Sequence, residues 1–380
     1  MWDEMPLSEL FPASEEKCLA LSNSASWSGS QKRQKILKEI EFFWTSLKNS
    51  PKDYGNFSPE KREPKTLKFV AADPSGNILG TCPVASDRTR CCNLMTMDIF
   101  RNCPLDCSYC SIQTFFHHDT IFYHQDLRKK LASLQLDPQK TYHIGTGQSS
   151  DSLALGNKHG ELAALLDFAG ENPNVILELK SKSANIQYLL EKKVSANVIA
   201  TWTLNTPTII ENEEHGTTAL EQRFGAAKEL ARHGILVGFH FHPIIYYRDW
   251  QSEYAGVIQE LTRNFRPQDV ALISFGTLTF TAKVMAQIRN RKIKSKILQM
   301  PFAPSEGKFS YPREIKRQLL EHLYQQFPAN WKEKVFFYLC MESPGLWTEV
   351  LGRNYPDNPS FEEDMKYHYF AKIKKRYNKK

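Results

Sequence analysis

The stretch 94-LMTMDIFRNCPLDCSYCSIQ-113 joins a run of strand-forming residues to a loop that holds three cysteines. Cys103, Cys107 and Cys110 are spaced C-x3-C-x2-C, which is close enough for one loop to surround a single centre. An aromatic residue, Tyr109, directly precedes the last cysteine. A tetrahedral metal site uses four ligands, whereas this loop supplies three. The stretch therefore raises two questions: which fold carries the loop, and what its thiols bind.

After this stretch, β-rich runs alternate with segments that are apolar on one helical face. The six strand-like runs are 94–100, 141–147, 174–180, 197–205, 235–244 and 269–278. The helix-like segments between them are QDLRKKLASLQ, HGELAALLDFAGE, ANIQYLLEKK, ALEQRFGAAKELARHG and EYAGVIQELTRNF. Successive βαβ units predict an α/β fold with a parallel sheet, wound either as a barrel or as a doubly wound layer. No Gly-x-Gly-x-x-Gly or Walker loop follows the first strand, which disfavours dinucleotide-binding and P-loop folds.

The composition narrows the class of protein. The chain of 380 residues is 41% hydrophobic and 24% charged, which is typical of a globular protein with a sizeable core. The sequence begins without a secretory leader pattern and holds no run of eighteen apolar residues, so we expect a cytoplasmic protein that does not cross a membrane. Thiols stay reduced in that compartment, and clustered cysteines are then expected to be metal ligands or catalysts rather than disulfides.

The net charge of +7 is concentrated at the carboxyl end. Residues 366–380 hold seven bases and no acid; subtracting these from the 49 bases leaves 42, which equals the 42 acids of the chain. The body is therefore neutral. The tail, whose bases alternate with aromatic residues, fits either a solvated end or a segment that binds phosphates and stacks bases. A second basic cluster, RNRKIKSK at 289–296, predicts a strand with a basic outer face.

Three interpretations of the cysteine loop compete on the residues alone. A structural zinc site needs a fourth ligand, for which the neighbouring candidates are His117, His118, Cys91 and Cys92. Three inert packing cysteines are disfavoured, because the loop is polar and contains Pro104 and Asp106. The third interpretation is an iron–sulfur cluster that the protein ligates through only three of its irons.

The pattern resembles the radical S-adenosylmethionine superfamily, in which C-x3-C-x2-C with an aromatic before the last cysteine follows the first barrel strand. In that superfamily three thiolates hold a 4Fe-4S cluster, and the fourth iron binds the amino and carboxylate groups of S-adenosylmethionine. The resemblance implies a partial (β/α)6 barrel of the radical SAM type with N-terminal and C-terminal extensions. Over about residues 80–350 the chain resembles one branch, the spore photoproduct lyase family, in the segments GTGQSSDS, LELKSKSANI, TWTLN, GFHFHPI and HGTTALEQRFGAAKELARHG.

The resemblance also implies which residues contact the cofactor. An aromatic would lie against the adenine, glycines would let the backbone approach the methionine amino group, and polar residues would contact the ribose or the carboxylate. The aromatic is Tyr109, and the glycines are Gly145 and Gly147. The polar residues are Ser150, Lys180 and Thr203. His242 and Pro243 would close the nucleoside side of the site. Each residue also has an ordinary structural explanation. Lys180 could be a surface cation, Thr203 a plain strand residue, and His242 a core histidine whose hydrogen bonds are made within the protein.

This chain departs from the family at two residues that pass the radical on after the substrate has reacted. The family has a hydrogen-donating cysteine after the second strand and a tyrosine directly after the third cluster cysteine, where this chain has Gln148 and Ser111. An amide cannot replace a thiol as hydrogen-atom donor, because its N–H bond is far stronger. Cys340 could supply a thiol if its strand reaches the mouth of the barrel; the alternative is a buried structural cysteine.

A second group of cysteines, Cys82, Cys91 and Cys92, precedes the first strand. Adjacent side chains of an extended chain point to opposite faces, so Cys91 and Cys92 do not readily bind one ion together. Two interpretations of this group remain. Two of the three cysteines could form an auxiliary metal site, or all three could be ordinary packing residues near the core. We therefore leave this group out of the predicted main site.

The predicted organisation and function follow from these points. The expected segments are an N-terminal helical and loop extension (1–90), a radical SAM core (91–285), a C-terminal extension that packs on the core (286–365) and a basic tail (366–380). By resemblance, the function is reductive cleavage of S-adenosylmethionine to a 5′-deoxyadenosyl radical, with a DNA photolesion-like substrate in the lyase or DNA repair class. Modification of a peptide or small molecule, or a non-enzymatic metal-binding module, are alternatives. The expected partners are nucleic acid and an electron donor such as flavodoxin or ferredoxin.

Overall fold

The computed structural model describes residues 18–20, 22–24, 27–59, 66–72, 76–82, 88–115, 119–291 and 293–377. Its strands are β1 (Lys68–Ala71), β2 (Leu79–Thr81), β3 (Met95–Met97), β4 (Phe100–Arg101), β5 (Asp106–Cys107), β6 (Thr120–Tyr123), β7 (Tyr142–Thr146), β8 (Val175–Ser181), β9 (Val198–Thr203), β10 (Glu214–His215), β11 (Leu236–Ile244), β12 (Val270–Thr277), β13 (Thr279–Phe280), β14 (Ala303–Ser305), β15 (Lys308–Ser310) and β16 (Phe336–Leu339). Its helices are α1 (Gly29–Asn49), α2 (Leu127–Ala132), α3 (Glu161–Glu171), α4 (Gln187–Glu191), α5 (Pro207–Glu213), α6 (Leu220–Arg232), α7 (Trp250–Asn264), α8 (Ala282–Asn290), α9 (Arg313–Gln325), α10 (Ala329–Lys334), α11 (Pro344–Leu351) and α12 (Asn358–Tyr377).

The main sheet is an open half-barrel of parallel strands. β3, β7, β8, β9, β11, β12 and β16 lie side by side in chain order, and every neighbouring pair among them is parallel. β2 adds an antiparallel strand beside β3. The two edges of the sheet, β2 and β16, do not pair with each other, so the curled sheet stays open. The predicted partial barrel with N-terminal and C-terminal extensions is confirmed.

The six predicted strands correspond to β3, β7, β8, β9, β11 and β12, with ends that differ by at most three residues. Strands of a parallel sheet are covered on both faces, and they therefore appear in the sequence as nearly continuous apolar runs. Every residue of β9 and β12 is buried, as this explanation requires. The seventh parallel strand, β16, pairs with β12 in the register Leu272 to Phe336. The C-terminal extension thus contributes a strand to the barrel itself.

One helix that the sequence pattern did not predict, α5, has a role in positioning the site. The hydroxyl of Thr206 accepts a hydrogen bond from the backbone N–H of Ile209, and Pro207 occupies the first helical position, where its missing N–H costs nothing. The helix ends at Glu213, and β10 begins at the next residue. Two adjacent carboxyl groups are thereby placed under the cysteine loop.

The basic tail is not a separate segment in the described part of the chain. α12 runs without interruption across the predicted boundary between residues 365 and 366. Lys372 Nζ donates to the carbonyl oxygen of Pro267 at 2.7 Å, and Arg376 Nη2 lies 3.1 Å from Asp269 Oδ1. The prediction of a solvated or phosphate-binding end is wrong for these two bases, because backbone carbonyls and a carboxylate of the body bind them.

The basic cluster at 289–296 does not form the predicted strand. α8 ends at Asn290, and the following residues turn into a short 3-10 helix at Ile297–Gln299. Ser295 Oγ and the backbone N–H of Lys296 both donate to the carboxylate of Glu213, at 2.7 and 3.0 Å. The segment does not pair as a strand, because its polar groups form hydrogen bonds with this buried carboxylate instead. Among the described residues, no helix has the length and apolarity needed to span a membrane.

Candidate active site

A cavity of about 270 Å³ opens at the carboxyl ends of the half-barrel strands. Active sites of β/α barrels lie at this end, because the loops that follow the strands meet there. Most of the residues that the sequence singled out line this cavity: Cys103, Cys107, Tyr109, Cys110, Gly147, Ser150, Lys180, Thr203, His242, Pro243 and Cys340. The fold therefore brings together segments that are up to 237 positions apart in the chain.

Gly145 is the exception among the predicted cofactor contacts. It does not line the cavity, and a Cβ atom at this position would lie 2.9 Å from Leu94 Cδ2. Its lack of a side chain thus serves the packing of β7 against the residue that precedes β3. Gly147 does face the cavity and has a φ of +89°, a conformation that favours glycine. The predicted contact of Gly145 with the methionine amino group therefore stays a prediction, without support from the lining of the cavity.

The cysteine loop, residues 103–113, forms one wall of the cavity. Cys107 lies on β5, which pairs antiparallel with β10 so that Cys107 is opposite Glu214. Burial raises the pKa of all three loop thiols, that of Cys107 to about 12. Thiols in such surroundings stay protonated unless a bound metal provides the positive charge that stabilises the thiolates.

Glu213 anchors the loop from below. It is fully buried, and Ser108 donates to its carboxylate through the hydroxyl and to its carbonyl oxygen through the backbone N–H. Tyr54 OH and Ser295 Oγ donate to the same carboxylate, each at 2.7 Å. Burial raises the pKa of Glu213, although these hydrogen bonds oppose the shift. The N-terminal extension, through Tyr54, therefore helps to hold the loop.

Glu214 anchors Tyr109. The phenol of Tyr109 donates to one oxygen of Glu214, and Arg223 Nη2 lies 2.6 Å from the other. Burial alone would raise the pKa of Glu214, but Arg223 and Lys182 more than offset it and hold that pKa below its ordinary value. Arg223 is fully buried and also donates to the carbonyl oxygen of Thr203 at 2.8 Å. The aromatic ring before the last cysteine is thereby fixed by an ionised pair.

Arg291 closes the outer side of the loop. Its guanidinium forms an ion pair with Asp106, and its Nη1 donates to Gln113 Oε1 at 2.9 Å. These contacts join the end of α8 to both ends of the β5 turn. The sequence analysis noted this arginine only as part of a basic cluster. No local pattern could have identified it, since Arg291 and Asp106 are 185 positions apart.

Lys182, rather than Lys180, is the cation of the cysteine wall. Its Nζ lies 5.7 Å from the centroid of the Tyr109 ring. Burial would lower the pKa of Lys182, but the neighbouring Cys107 and Glu214 more than offset that effect and raise it. The LKSK pattern places Lys180 near the end of β8 and Lys182 directly after it, and it offers no means of deciding which lysine faces the cofactor.

A second group of cavity residues, here called the far wall, consists of Cys82, Cys92, Lys180 and Cys340; Cys92 and Lys180 each lie within electrostatic range of both Cys82 and Cys340. Cys340 directly follows β16, and its backbone N–H donates to the carbonyl oxygen of Phe275 at 2.7 Å. Burial raises the pKa of Cys340, and a hydrogen bond with Cys91 together with burial raises that of Cys92. The thiols of Cys340 and Cys92 are therefore protonated, and each lies within electrostatic range of Cys82.

A buried network lies beneath the far wall and was missed by the sequence analysis. Both oxygens of Glu178 are engaged, by His240 Nε2 at 2.7 Å and by His143 Nε2 at 2.8 Å. Burial lowers the pKa of His240 to about 4, so the ring is neutral. Ser274 Oγ links its other nitrogen, at 2.6 Å, to His242 Nε2, at 3.0 Å. The signal was present in the sequence, since Glu178 is a charge within an apolar strand run.

The donor set fits a cluster better than a single zinc ion. Zinc holds its thiolates about 2.3 Å from one ion, which requires the sulfur atoms to converge closely. Within the described ranges, no three His, Cys, Asp or Glu side chains are arranged to hold a single metal ion. An iron–sulfur cluster distributes its thiolates over separate irons, and the three thiols of one loop that face a common cavity fit that requirement. His117 and His118 lie outside the described residues.

Comparison with known proteins gives a consistent result. The family model "Spore photoproduct lyase" matches residues 64–340. Spore photoproduct lyase of Clostridium acetobutylicum is 28% identical over 200 residues, covering 50% of this chain and 58% of that protein. The enzyme of a Geobacillus species is 24% identical over 241 residues, covering 61% and 65%. The chain thus spans less than two thirds of the length of these relatives.

Solved structures agree in fold. A spore photoproduct lyase complexed with dinucleoside spore photoproduct superimposes with a TM-score of 0.61 at 18% identity, covering 71% of this chain and 82% of that one. A mutant of the lyase with bound AdoMet and dinucleoside spore photoproduct gives 0.60 at 19%, with the same coverage. At this identity the likeness establishes the half-barrel fold alone. Because the family model matches well over half of its residues, the chain belongs to the spore photoproduct lyase family.

Proposed function

We propose that this protein is a radical S-adenosylmethionine enzyme that acts on a nucleic-acid substrate of the DNA photolesion class. One observation carries the proposal: the three thiols of the cysteine loop face a single cavity at the carboxyl end of a parallel half-barrel. Family membership supports the chemistry, and the names of the relatives, which are spore photoproduct lyases, support the substrate class.

In this proposal Cys103, Cys107 and Cys110 hold a 4Fe-4S cluster, and S-adenosylmethionine binds between the cluster and the strand ends. When bound, the pair supplies one-electron cleavage of the sulfonium to a 5′-deoxyadenosyl radical. Lys182 takes the role first predicted for Lys180, because it is the lysine beside the cysteine loop and the Tyr109 ring. A partner such as flavodoxin or ferredoxin would supply the electron.

Other side chains of the cavity would orient the cofactor. Tyr109, fixed through Glu214, presents its ring to the adenine. Ser150 Oγ is buried and has no hydrogen-bond partner among the described residues, so it is available to a ribose or carboxylate oxygen. Thr203 is held at the end of β9 by Arg223, and the ring of His242 packs on Gly276, where a Cβ atom would lie 3.0 Å from it. These residues also keep water out of the cavity.

Cys340 is the proposed hydrogen-atom donor to the substrate radical. Neither Gln148 nor Ser111, which stand at the family's relay positions, carries a weak X–H bond. The Cys340 thiol lines the same cavity and is protonated, as a hydrogen-atom donor must be. Transfer of its hydrogen atom converts the carbon radical to a C–H bond and leaves a thiyl radical. One electron from the low-potential carrier and one proton from solvent then restore the thiol.

Reconstitution tests the proposal. Anaerobically prepared protein should be brown, and after addition of reductant and S-adenosylmethionine it should release 5′-deoxyadenosine. Ultraviolet-irradiated DNA should accelerate this release and lose a thymine photoproduct, whereas unirradiated DNA of the same sequence should not. A colourless protein with stoichiometric zinc would contradict the radical chemistry. A brown, cofactor-cleaving protein that is indifferent to every nucleic acid would instead assign a peptide or small-molecule substrate.

A further inference from the structure

Lys180 is held in place by the loop that follows β7. Gly147 packs on the main chain of Lys180, so closely that a Cβ atom at residue 147 would lie 2.5 Å from the Lys180 carbonyl oxygen. The backbone N–H of Ser152 donates to the same oxygen at 3.1 Å. Asp151 ties the two segments further, because its carboxylate accepts from Ser181 Oγ and from the backbone N–H of Lys182, each at 2.7 Å. The position of the Lys180 side chain at the cavity is thus defined by rigid neighbours.

The ammonium group of Lys180 lacks a counter-ion in the part of the chain that the structure describes. The nearest acid, Glu178, is already engaged by His143 and His240, and Thr201 Oγ1 donates to it at 2.9 Å. His240 and His242 are neutral, since burial and then the charge of Lys180 lower the pKa of each. Lys180 is half-buried at the cavity. A partly desolvated cation without a paired anion is unfavourable, so a ligand that supplies the negative charge is expected there.

Gln148 provides a second polar group at the same place. It directly follows Gly147, whose backbone contacts Lys180, and its side chain lines the cavity. Its Oε1 atom is buried, with no hydrogen-bond partner among the described residues. The orphaned atom is an acceptor and needs a donor, whereas the unpaired ammonium needs an anion. This part of the cavity therefore fits a ligand that carries an N–H or O–H group next to a negatively charged oxygen atom.

This pair is distinct from the cofactor side of the cavity. Lys182 lies over Tyr109 and beside Glu214 and Cys107. The groups that act on Lys180 are Glu178, Cys340, Lys182 and Cys82. Lys180 on β8 and Lys182 directly after it thus have mostly different neighbours, which suit two different ligands. The one at the cysteine loop suits the cofactor, and the one at the far wall suits what the cofactor acts on.

We propose that Lys180 and Gln148 form a subsite for an anionic oxygen group of the substrate, the phosphodiester that links the two nucleosides of a lesion. This inference rests on the proposed function and extends it, because it requires a dinucleotide or longer strand as substrate rather than a nucleoside pair alone. Lys180 forms the charge-assisted contact with a phosphate oxygen, and Gln148 Oε1 accepts a hydrogen bond from an N–H group of an adjoining base.

A binding comparison on the full-length protein tests the subsite without any turnover. The ligands are two photolesion dinucleotides, one with the natural phosphodiester and one with a neutral methylphosphonate. The wild type should bind the charged ligand about tenfold more tightly, which is the size expected for one charge-assisted contact. Lys180→Met should bind both ligands equally, Lys180→Arg should keep a preference, and Lys182→Met should keep the full preference. A preference that persists in Lys180→Met, or that the wild type lacks, would overturn the subsite.

A second measurement separates the subsite from the proposed substrate. Acetic anhydride acylates accessible lysines, and peptide mass spectrometry reports Lys180 and Lys182 individually. Inorganic phosphate should slow acylation of Lys180 at least threefold relative to chloride of equal ionic strength and leave Lys182 unchanged. If nucleic acids do not bind at all, this protection still supports the anion subsite while the proposed function fails. Unchanged labelling, or protection by S-adenosylmethionine instead of phosphate, would refute it.

Discussion

The two walls of the cavity differ in how completely their polar groups are paired. On the cysteine loop, Ser108 and Tyr109 bind the adjacent carboxylates Glu213 and Glu214, and Gln113 binds Arg291. Lys180, on the far wall, has no counter-ion among the described residues, and the buried Oε1 atom of Gln148 has no hydrogen-bond partner there. The polar groups of the cysteine loop are paired within the protein, whereas those of the far wall need a ligand as their partner.

This difference follows from the energetics of buried polar groups. A buried donor or acceptor without a partner costs about 1–3 kcal/mol, so such groups persist only where something else compensates them. A metal-binding loop must be rigid before the metal arrives, and networks of hydrogen bonds behind the ligands provide that rigidity. A substrate site must instead exchange its occupant at every turnover. This difference supports the proposal that the cofactor binds at the first wall and the substrate at the second.

The largest expected effect concerns the thiols of the two walls. Cys107→Ala should abolish iron binding and the release of 5′-deoxyadenosine, because the cluster then loses one of its three protein ligands. Cys92→Ala, on the far wall, should leave the iron content unchanged. Iron analysis and visible absorbance after anaerobic reconstitution measure both. Equal loss of iron in the two variants would show that the walls do not differ in this way.

The next effect distinguishes the two carboxylates under the loop. Glu214→Gln should lower the free energy of unfolding by about 3 kcal/mol, because it leaves the fully buried Arg223 without its anion. Glu213→Gln should cost about 1 kcal/mol, since its partners Ser108, Ser295 and Tyr54 carry hydroxyls that can also accept from an amide. Urea unfolding of the matched pair provides the measurement. Similar losses for both variants would mean that the ion pair contributes nothing beyond its hydrogen bonds.

The proposed hydrogen donor gives a smaller, more specific effect. Cys340→Ala should reduce substrate product by about thirtyfold, equivalent to about 2 kcal/mol, while the release of 5′-deoxyadenosine continues. Wild-type protein turned over in D₂O should place deuterium in the product, because the thiol exchanges its hydrogen with solvent. Cys91→Ala is the matched control, since Cys91 is buried but does not line the cavity. Unchanged product formation in Cys340→Ala would remove this cysteine from the mechanism.

The sequence predicted the components of the site better than its supports. The strands were recognisable because parallel strands are continuous apolar runs, and the cysteines because a metal-binding loop is compact in sequence. Glu214, Arg223 and Arg291 were not recognisable as anchors, since each acts through a partner that only the fold brings near. Periodicity reports which face a residue occupies, not which distant group lies opposite.

Two single positions show why a pattern alone does not place a residue. Gly145 matched a glycine-rich segment, but whether a glycine opens space for a ligand or for a neighbouring side chain depends on what lies opposite, here Leu94. Lys180 lies on β8 and Lys182 directly follows it, and only Tyr109 and Glu214, which come from other segments, show which lysine lies beside the cysteine loop. Long-range contacts decided both cases, and a single sequence does not display them.

The smallest expected effect is a pH dependence that arises beneath the far wall. Burial, followed by the charge of Lys180, lowers the pKa of His240 to about 4, against an ordinary value near 6.5. A histidine whose pKa is lower in the folded state binds its proton more readily when unfolded, so its contribution to stability is complete above pH 6.5 and is lost as the pH falls towards 4. Glu178, whose pKa the two histidines hold well below its ordinary value, acts in the same direction at lower pH.

Between pH 7 and pH 5.5, His240 alone should therefore lower the free energy of unfolding by about 1 kcal/mol. Urea unfolding at the two pH values measures this loss. His240→Gln should show a pH dependence smaller by that amount, whatever its absolute stability, because the amide does not titrate. An identical pH dependence in both proteins would mean that His240 has the same pKa in the folded and unfolded states, so that neither burial nor the charge of Lys180 acts on the ring.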